Sequence, residues 1–390
     1  MTGNEPGDVV ENRLHFFDNL RTSIVFLVVL LHAGVVYESS GIAASFWIVD
    51  DPATNDLVGI LNVVFDIFLM PTMFLIAGYF ASLSLGKTRP RDFVKAKFRR
   101  LMLPWAIGVL VLMPLYKIIF LASRGLSQEH WTSYFHFSNG IFSQSWLWFL
   151  PVLFLFNVVY SVLAKLGWLP RKVSLKSSIV VTFLIGFGTS VAMDMFGLRG
   201  WTKTPVIDFQ NERLLIYFMV FVLGGLCCQQ NAFGPKPRSK KLYFVVNAIA
   251  WIPINIYVLF LIVPFIKPGS VLIAPIADRL ILWFCFYVSL LCLLYVTIET
   301  FRLYLDRPGR IWGELNRNSY WTYILHVIVM GGIATALLNT TIPSFWKYLL
   351  LTASTIAASN ALISLARWLW IRFRREAAPE TGRRPFALAK

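Results

Sequence analysis

Ten stretches of about twenty apolar residues, separated by short polar loops, constrain this chain more than any other feature in it. A helix rises about 1.5 Å per residue, so each stretch covers a hydrocarbon core about 30 Å thick. Lipid offers no partners to backbone N–H and C=O groups, so apolar stretches of this length cross as helices. They fall at roughly 18–38, 57–85, 101–123, 146–166, 177–196, 212–231, 242–264, 279–300, 318–339 and 347–370. The expected fold is all-α, a polytopic membrane bundle of about ten transmembrane helices. Hydrophobic residues make up 57% of the chain and charged residues 14%, and no polar stretch is long enough for a separate soluble domain. The expected organisation is a tail over 1–17, one integral domain over 18–370 and a basic tail over 371–390. Pro71 is expected to kink or interrupt the second segment.

The net charge of +16 would suggest nucleic acid as partner in a soluble protein. Here the Lys and Arg residues cluster in alternate loops, at 87–100, 165–176, 236–241, 302–317 and 367–384, which is the positive-inside pattern. Nucleic acid is therefore not expected, and both termini should be cytoplasmic. Most of the Trp and Tyr near the expected span ends, including Trp146, Trp148, Trp201, Trp312, Tyr320, Trp368 and Trp370, read as headgroup anchors. Cys227, Cys228, Cys285 and Cys292 fall in or at the ends of apolar segments without metal-ligand spacing, so neither a metal site nor a disulfide is expected. The first apolar run is too long for a cleavable signal peptide and has no small-residue cleavage site.

Polar groups inside such segments usually have a function. Asp18, Arg21 and His32 form a stripe on the first segment: eleven residues separate Arg21 from His32, which returns the helix to nearly the same face about 16 Å further on. An imidazole at that depth is a candidate proton acceptor. Lys97, Arg99 and Arg100 lie at the entrance to the third segment. They can bind phosphate, aided by a helix N-terminus, or simply follow positive-inside topology. Ser319, Tyr323 and His326 share a face of the ninth segment, either to orient a substrate or another catalytic group, or to join helices. Asp66, inside the second segment, should pair with a basic group of the bundle, and Glu212 with Arg213 could form a local ion pair.

These residues sit in motifs that resemble the acyltransferase 3 family of bacterial integral-membrane acyltransferases. Arg21, ten residues and then His32 is similar to the family's basic-X10-His signature, with the usual aspartate at Asp18. MPTMFLIAGYF at 70–80, the basic stretch from Lys97 to Arg100, SWLWFLPVLF at 145–154 and NSYWTYILH at 318–326 resemble further family segments in the family's order. Two positions depart. Lys97 stands where the family has an arginine and lacks its bidentate fork, and Ala77 replaces a common serine.

Within the family, the opening DNLR and the AGYF segment look closest to the glucan biosynthesis protein C group. The resemblance implies a multi-pass protein of the bacterial inner membrane that moves a succinyl or acetyl group from cytoplasmic acyl-CoA to hydroxyls of an envelope carbohydrate such as a periplasmic glucan. No permanently bound cofactor is expected. His32 would be general base or nucleophile, with Asp18 and Arg21 orienting it or binding the donor. Lys97, Arg99 and Arg100 would hold CoA phosphates, while Asp66, Trp148, Ser319, Tyr323 and His326 would line the acceptor side. The alternative is a transporter that moves a glycan or small anion without covalent chemistry.

Overall fold

The computed structural model describes residues 14–39, 46–130, 144–169, 173–234 and 239–376, with side chains to residue 374. Residues 1–13 and 377–390, which hold most of both expected tails, lie outside the described residues, as do parts of the basic loops 165–176 and 236–241.

Among the described residues, ten helical passages are long and apolar enough to cross a membrane. In chain order they are α1 (His15–Val35), α2 (Asp56–Leu85), α3 with α4 (Pro90–Lys97 and Leu103–Ser123), α5 (Phe149–Lys165), α6 (Leu175–Met195), α7 (Asn211–Gln229), α8 (Lys240–Ile266), α9 (Pro275–Tyr304), α10 (Arg310–Leu337) and α11 (Ser344–Glu376). Residues 15–17 and 371–376, expected in the tails, continue helices α1 and α11. The end of the bundle where α1 begins is termed lower, and the end where it stops, upper. A short antiparallel pair, β1 (Trp201–Thr202) and β2 (Phe209–Gln210), folds the loop between α6 and α7 over the upper end.

Local chemistry accounts for the helix boundaries. Asn55, Ser174 and Ser239 each accept a hydrogen bond from the backbone N–H three residues on, capping α2, α6 and α8. Pro71 does not interrupt α2, which is continuous through it. Beside the hydrogen bond that the proline ring removes, the Thr72 hydroxyl donates to Phe68 O at 2.7 Å. The third passage differs from expectation in another way. Pro90 starts α3 upstream, and a π-helical turn over Phe98–Met102 carries the helix into α4. Lys97, Arg99 and Arg100 therefore sit at the end of α3 and in that widened turn, not at a helix N-terminus, so a free helix dipole cannot help them bind an anion.

Helix α1 packs between α2 and α10, α2 runs along α7, α7 along α6, and α10 against α4 and α11, while α8 and α9 form a hairpin. Lipid tails give no hydrophobic drive between helices, so close backbone approach must supply the attraction. Between α2 and α7 it does so reciprocally. A Cβ on Gly78 would stand 1.8 Å from Phe221 O, and one on Gly224 would stand 2.0 Å from Leu75 O. The irregular stretch 46–55 follows α1 at the upper end and is clamped from two sides. Tyr116 donates to Phe46 O at 2.6 Å, Arg124 to Trp47 O at 3.0 Å, and the buried pair Lys347–Asp51 closes at 2.9 Å.

The glycine contact gives a direct test. Gly78→Val or Gly224→Val drives α2 and α7 apart and should lower the thermal midpoint of detergent-solubilised protein by an amount corresponding to about 1–3 kcal/mol or more. Gly188→Ala, which meets nothing within 4 Å, should not lower it.

Candidate active site

Packing of α1 on α10 brings His32 and His326 into hydrogen-bond contact: His32 Nδ1 and His326 Nε2 are 2.8 Å apart, with nearly parallel rings. The proton positions follow from the surroundings. His326 Nδ1 faces Tyr323 O at 2.7 Å and Thr322 O at 3.2 Å. Carbonyl oxygens only accept, so that nitrogen carries a hydrogen, and in a neutral ring Nε2 is then the lone pair. His32 Nδ1 must therefore donate to His326 Nε2. That leaves His32 Nε2 unprotonated, and no described residue bonds to it. The arrangement is a histidine held in one tautomer by a second histidine, whose own tautomer is fixed by backbone.

His32 lies in the wall of an upper cavity of about 480 Å³. The remaining wall comes from α2, the stretch around Trp47, the hairpin over 201–210, the 3-10 turn Ser145–Trp148 that opens α5, and single tyrosines of α4, α7 and α10. Much of it is aromatic, with Trp47, Tyr116, Trp146, Trp148, Trp201 and Tyr217, and the polar groups include Asn62, Asp66, Asp208 and Gln210. Trp148 stacks on Tyr217 and meets Trp201 edge-on at 5.3 Å between ring centroids. Asp208, in the hairpin loop, accepts backbone N–H bonds from Thr204 at 2.9 Å and Gln144 at 3.3 Å, tying the hairpin to the 3-10 turn. Burial pushes its carboxyl above the usual carboxylate range, and these two bonds act in the opposite direction.

A family model for an acyltransferase domain, Acyl_transf_3, matches residues 14–363, which spans α1 through most of α11 and contains every group just described. The chain belongs to the acyltransferase 3 family. It is thus a multi-pass membrane protein of an acyltransferase family. No curated protein and no solved structure matches the chain.

In this acyltransferase the residues singled out from sequence fall into three groups. The first surrounds the cavity and contains His32, Asp66, Trp148 and Tyr323. Asp66 pairs with Arg213 of α7 at 2.6 Å, and Arg213 is buried while the carboxylate is half-exposed to the cavity. Glu212 accepts instead from Gly200 N at 2.9 Å, so the local Glu212–Arg213 pair does not form. The cause is helical geometry, because adjacent residues point to different faces. Tyr323 OH donates to Trp146 O, and Trp146 Nε1 donates to Ile324 O at 3.0 Å, which locks α10 to the 3-10 turn. Trp146 and Trp148 are therefore inside the bundle and are not headgroup anchors, whereas Trp368 and Trp370 are exposed.

The second group lies behind the cavity. Ser319 and His326 are fully buried and are not in the cavity wall. They do not line an acceptor surface as expected: Ser319 bonds Asn316 O at 3.0 Å, and His326 supports His32. The third group is at the lower end. Asp18 and Arg21 approach to 3.8 Å, and Arg21 Nη2 donates to Asn316 O at 3.4 Å. One turn along α10, Tyr320 OH donates to Arg100 O at 2.7 Å, so Arg21 and the π-helical turn lie at similar depth. Arg99 and Arg100 are exposed there, and Lys97 lies over the Phe93 ring at 5.2 Å. Helical rise puts Arg21 about 16 Å from His32, so the stripe shares a face without sharing a contact.

A second cavity, also of about 480 Å³, opens at the lower ends of α2, α5 and α7 beside Ser82, Tyr160 and Gln229. Sequence reasoning missed Trp47, Tyr116 and Tyr217 as cavity residues because aromatic residues are too common here to stand out. The Asp66–Arg213 pair carried a usable signal. Each is an opposite charge within a span, and Asp66 has no basic partner one turn away on its own helix.

Asp66→Ala leaves Arg213 as an uncompensated buried charge and should cost about 3–5 kcal/mol of stability. The double variant Asp66→Ala/Arg213→Met should recover a large part of the lost thermal midpoint, and a purely additive double variant would contradict the pairing.

Proposed function

We propose that this protein is an O-acyltransferase of the bacterial inner membrane that moves a succinyl or acetyl group from cytoplasmic acyl-CoA to a hydroxyl of an envelope carbohydrate, such as a periplasmic glucan. The observation that carries the reading is that His32, in the wall of the upper cavity, has its Nδ1 fixed by His326 while no described residue bonds to its Nε2. Such a lone pair is what removal of a hydroxyl proton requires.

The lower end is the cytoplasmic one in this reading, following the basic loops. Lys97, Arg99 and Arg100 hold the CoA phosphates there, and Asp18 with Arg21 supports the donor side, since neither contacts His32. The acceptor enters the upper cavity. Tryptophan faces suit the C–H faces of a sugar ring, and Asp66 and Gln210 can take its hydroxyls. A glucan fits that chemistry, as does any carbohydrate with a free hydroxyl.

His32 acts as general base. As the acceptor oxygen bonds to the thioester carbonyl carbon, its proton passes to His32 Nε2. The C–S bond then breaks, CoA leaves as thiolate, and the proton goes from His32 to the sulfur. The imidazolium formed in between is stabilised because His32 Nδ1–H donates to a ring whose own N–H is anchored on two carbonyls.

The test is reconstituted protein given labelled acyl-CoA and periplasmic glucan. Label should enter glucan, with no stable label on the protein. His32→Ala should reduce transfer by about 10²–10⁴-fold. His326→Leu should reduce it by a smaller factor, with donor KM unchanged. Undiminished transfer by correctly folded His32→Ala would overturn the mechanism, and solute movement without covalent labelling would overturn the function.

A further inference from the structure

His32 belongs to a closed circuit of rings. Its imidazole lies 5.0 Å from the Trp47 ring, Trp47 meets Tyr116 edge-on at 6.5 Å, and Tyr116 stacks on Trp146 at 5.8 Å between ring centroids. Trp146 meets His326 edge-on at 6.4 Å, and His326 returns to His32 at 5.1 Å. Helices α1, α4 and α10, the stretch 46–55 and the 3-10 turn each supply one ring. Among the described residues, His326 and Trp47 are the rings that meet His32 itself. The His326 contact is a hydrogen bond at one nitrogen, and a single neutral hydrogen bond contributes only about 0.5–1.5 kcal/mol net. The torsion that turns a histidine ring is broad, and in a cavity wall the bond to His326 competes with water. Packing therefore has to keep the ring from turning. Trp47 is placed to do so because it is itself held: Trp47 O accepts from Arg124 at 3.0 Å, Phe46 O accepts from Tyr116 at 2.6 Å, and Lys347 bonds Asp51 at 2.9 Å.

We propose that Trp47 is a positioning residue: its ring closes the circuit on His32 and holds the imidazole in the one orientation in which Nδ1 bonds His326 and Nε2 is left to act as base. For its effect on rate the inference rests on the acyl-transfer reading above, whereas the orientation of His32 is measured without substrate. Trp47 acts through His32 and touches no reacting atom. A side chain only 5% exposed suits that role, because what it supplies is a rigid ring against the imidazole and not a contact to substrate. The role belongs to the flat ring, so another aromatic side chain at position 47 preserves it and a branched aliphatic one does not. The clamp on the stretch 46–55 extends the effect outwards. Arg124 does not line the cavity, yet its bond to Trp47 O fixes where the indole sits. A catalytic base must be held close to its productive geometry, and a misplacement of about 1 Å costs up to about 10²-fold in rate.

The experiment uses full-length, ¹⁵N-histidine-labelled protein in lipid nanodiscs as wild type, Trp47→Leu, Trp47→Phe and Arg124→Met. Transfer is followed with labelled acetyl-CoA and succinyl-CoA as donors and periplasmic glucan as acceptor. In Trp47→Leu, His32 should populate both neutral tautomers and lose its coupling to His326 Nε2. Its kcat should fall by about 10–10²-fold, with the KM of each substrate nearly unchanged. Trp47→Phe should recover the wild-type spectrum and most of the lost kcat. Arg124→Met should move both readouts in the same direction by less, and it decides the matter if Trp47→Leu does not fold. A wild-type His32 spectrum in the deciding variant would overturn the proposal, as would a kcat within about twofold of wild type in Trp47→Leu. So would a loss confined to acceptor KM, which marks a substrate platform, or a Trp47→Phe variant no better than Trp47→Leu. Absence of transfer by wild type removes the acyl-transfer reading, while the ¹⁵N spectra still decide whether Trp47 orients His32.

Discussion

The hydrogen bond between His32 and His326 fixes which proton states are available at the histidine in the cavity wall, and the proposed chemistry depends on it. It joins α1 to α10, and its direction is imposed from behind by the carbonyls of Thr322 and Tyr323. A backbone carbonyl cannot change role, so the relay from carbonyl to His326 to His32 runs one way and ends on a lone pair. A lone buried histidine could adopt either tautomer and would be a poor base half of the time. Pairing it with a second histidine removes that ambiguity without adding a formal charge, which in a membrane interior would be expensive to hold.

Charged side chains lie around the histidine pair and are not bonded to it. Asp66 brings a carboxylate to the cavity, with Arg213 behind it as a buried counter-charge. Lys347 and Asp51 neutralise one another under the loop that carries Trp47. The exposed cations Arg99 and Arg100 are at the opposite end from the aromatic cavity. His32 is in the wall of the aromatic cavity, about 16 Å along α1 from Arg21 and the lower end.

Much of this was legible in the sequence. Apolar length set the number of crossings, and a histidine in a span flagged itself by its energetic cost. The stripe of Asp18, Arg21 and His32 was read correctly as one helix face, but periodicity reports a face and not a distance, and helical rise separates the two ends of the stripe. Ser319 and His326 were on the expected face, yet which neighbour that face meets is a tertiary fact. The π-helical turn after α3 was hidden because nothing in KAKFRRLM distinguishes it from an ordinary helical turn. Trp146 was misread as a headgroup anchor, and Trp148 was counted among the anchors as well as on the acceptor side, for a related reason: a tryptophan at a span end looks the same whether it faces lipid or a cavity. The hairpin over 201–210 is too short to show any alternation.

The most direct test of the relay is the protonation state of the imidazoles themselves. The chain has five histidines, so ¹⁵N-histidine labelling in lipid nanodiscs gives a simple spectrum, and His32→Gln and His326→Gln identify the two signals by their loss. The account predicts that at neutral pH both rings carry hydrogen on Nδ1 only, and that His32 Nδ1–H couples through its hydrogen bond to His326 Nε2. An Nε2–H tautomer at His32, or a doubly protonated ring at either position, would contradict it.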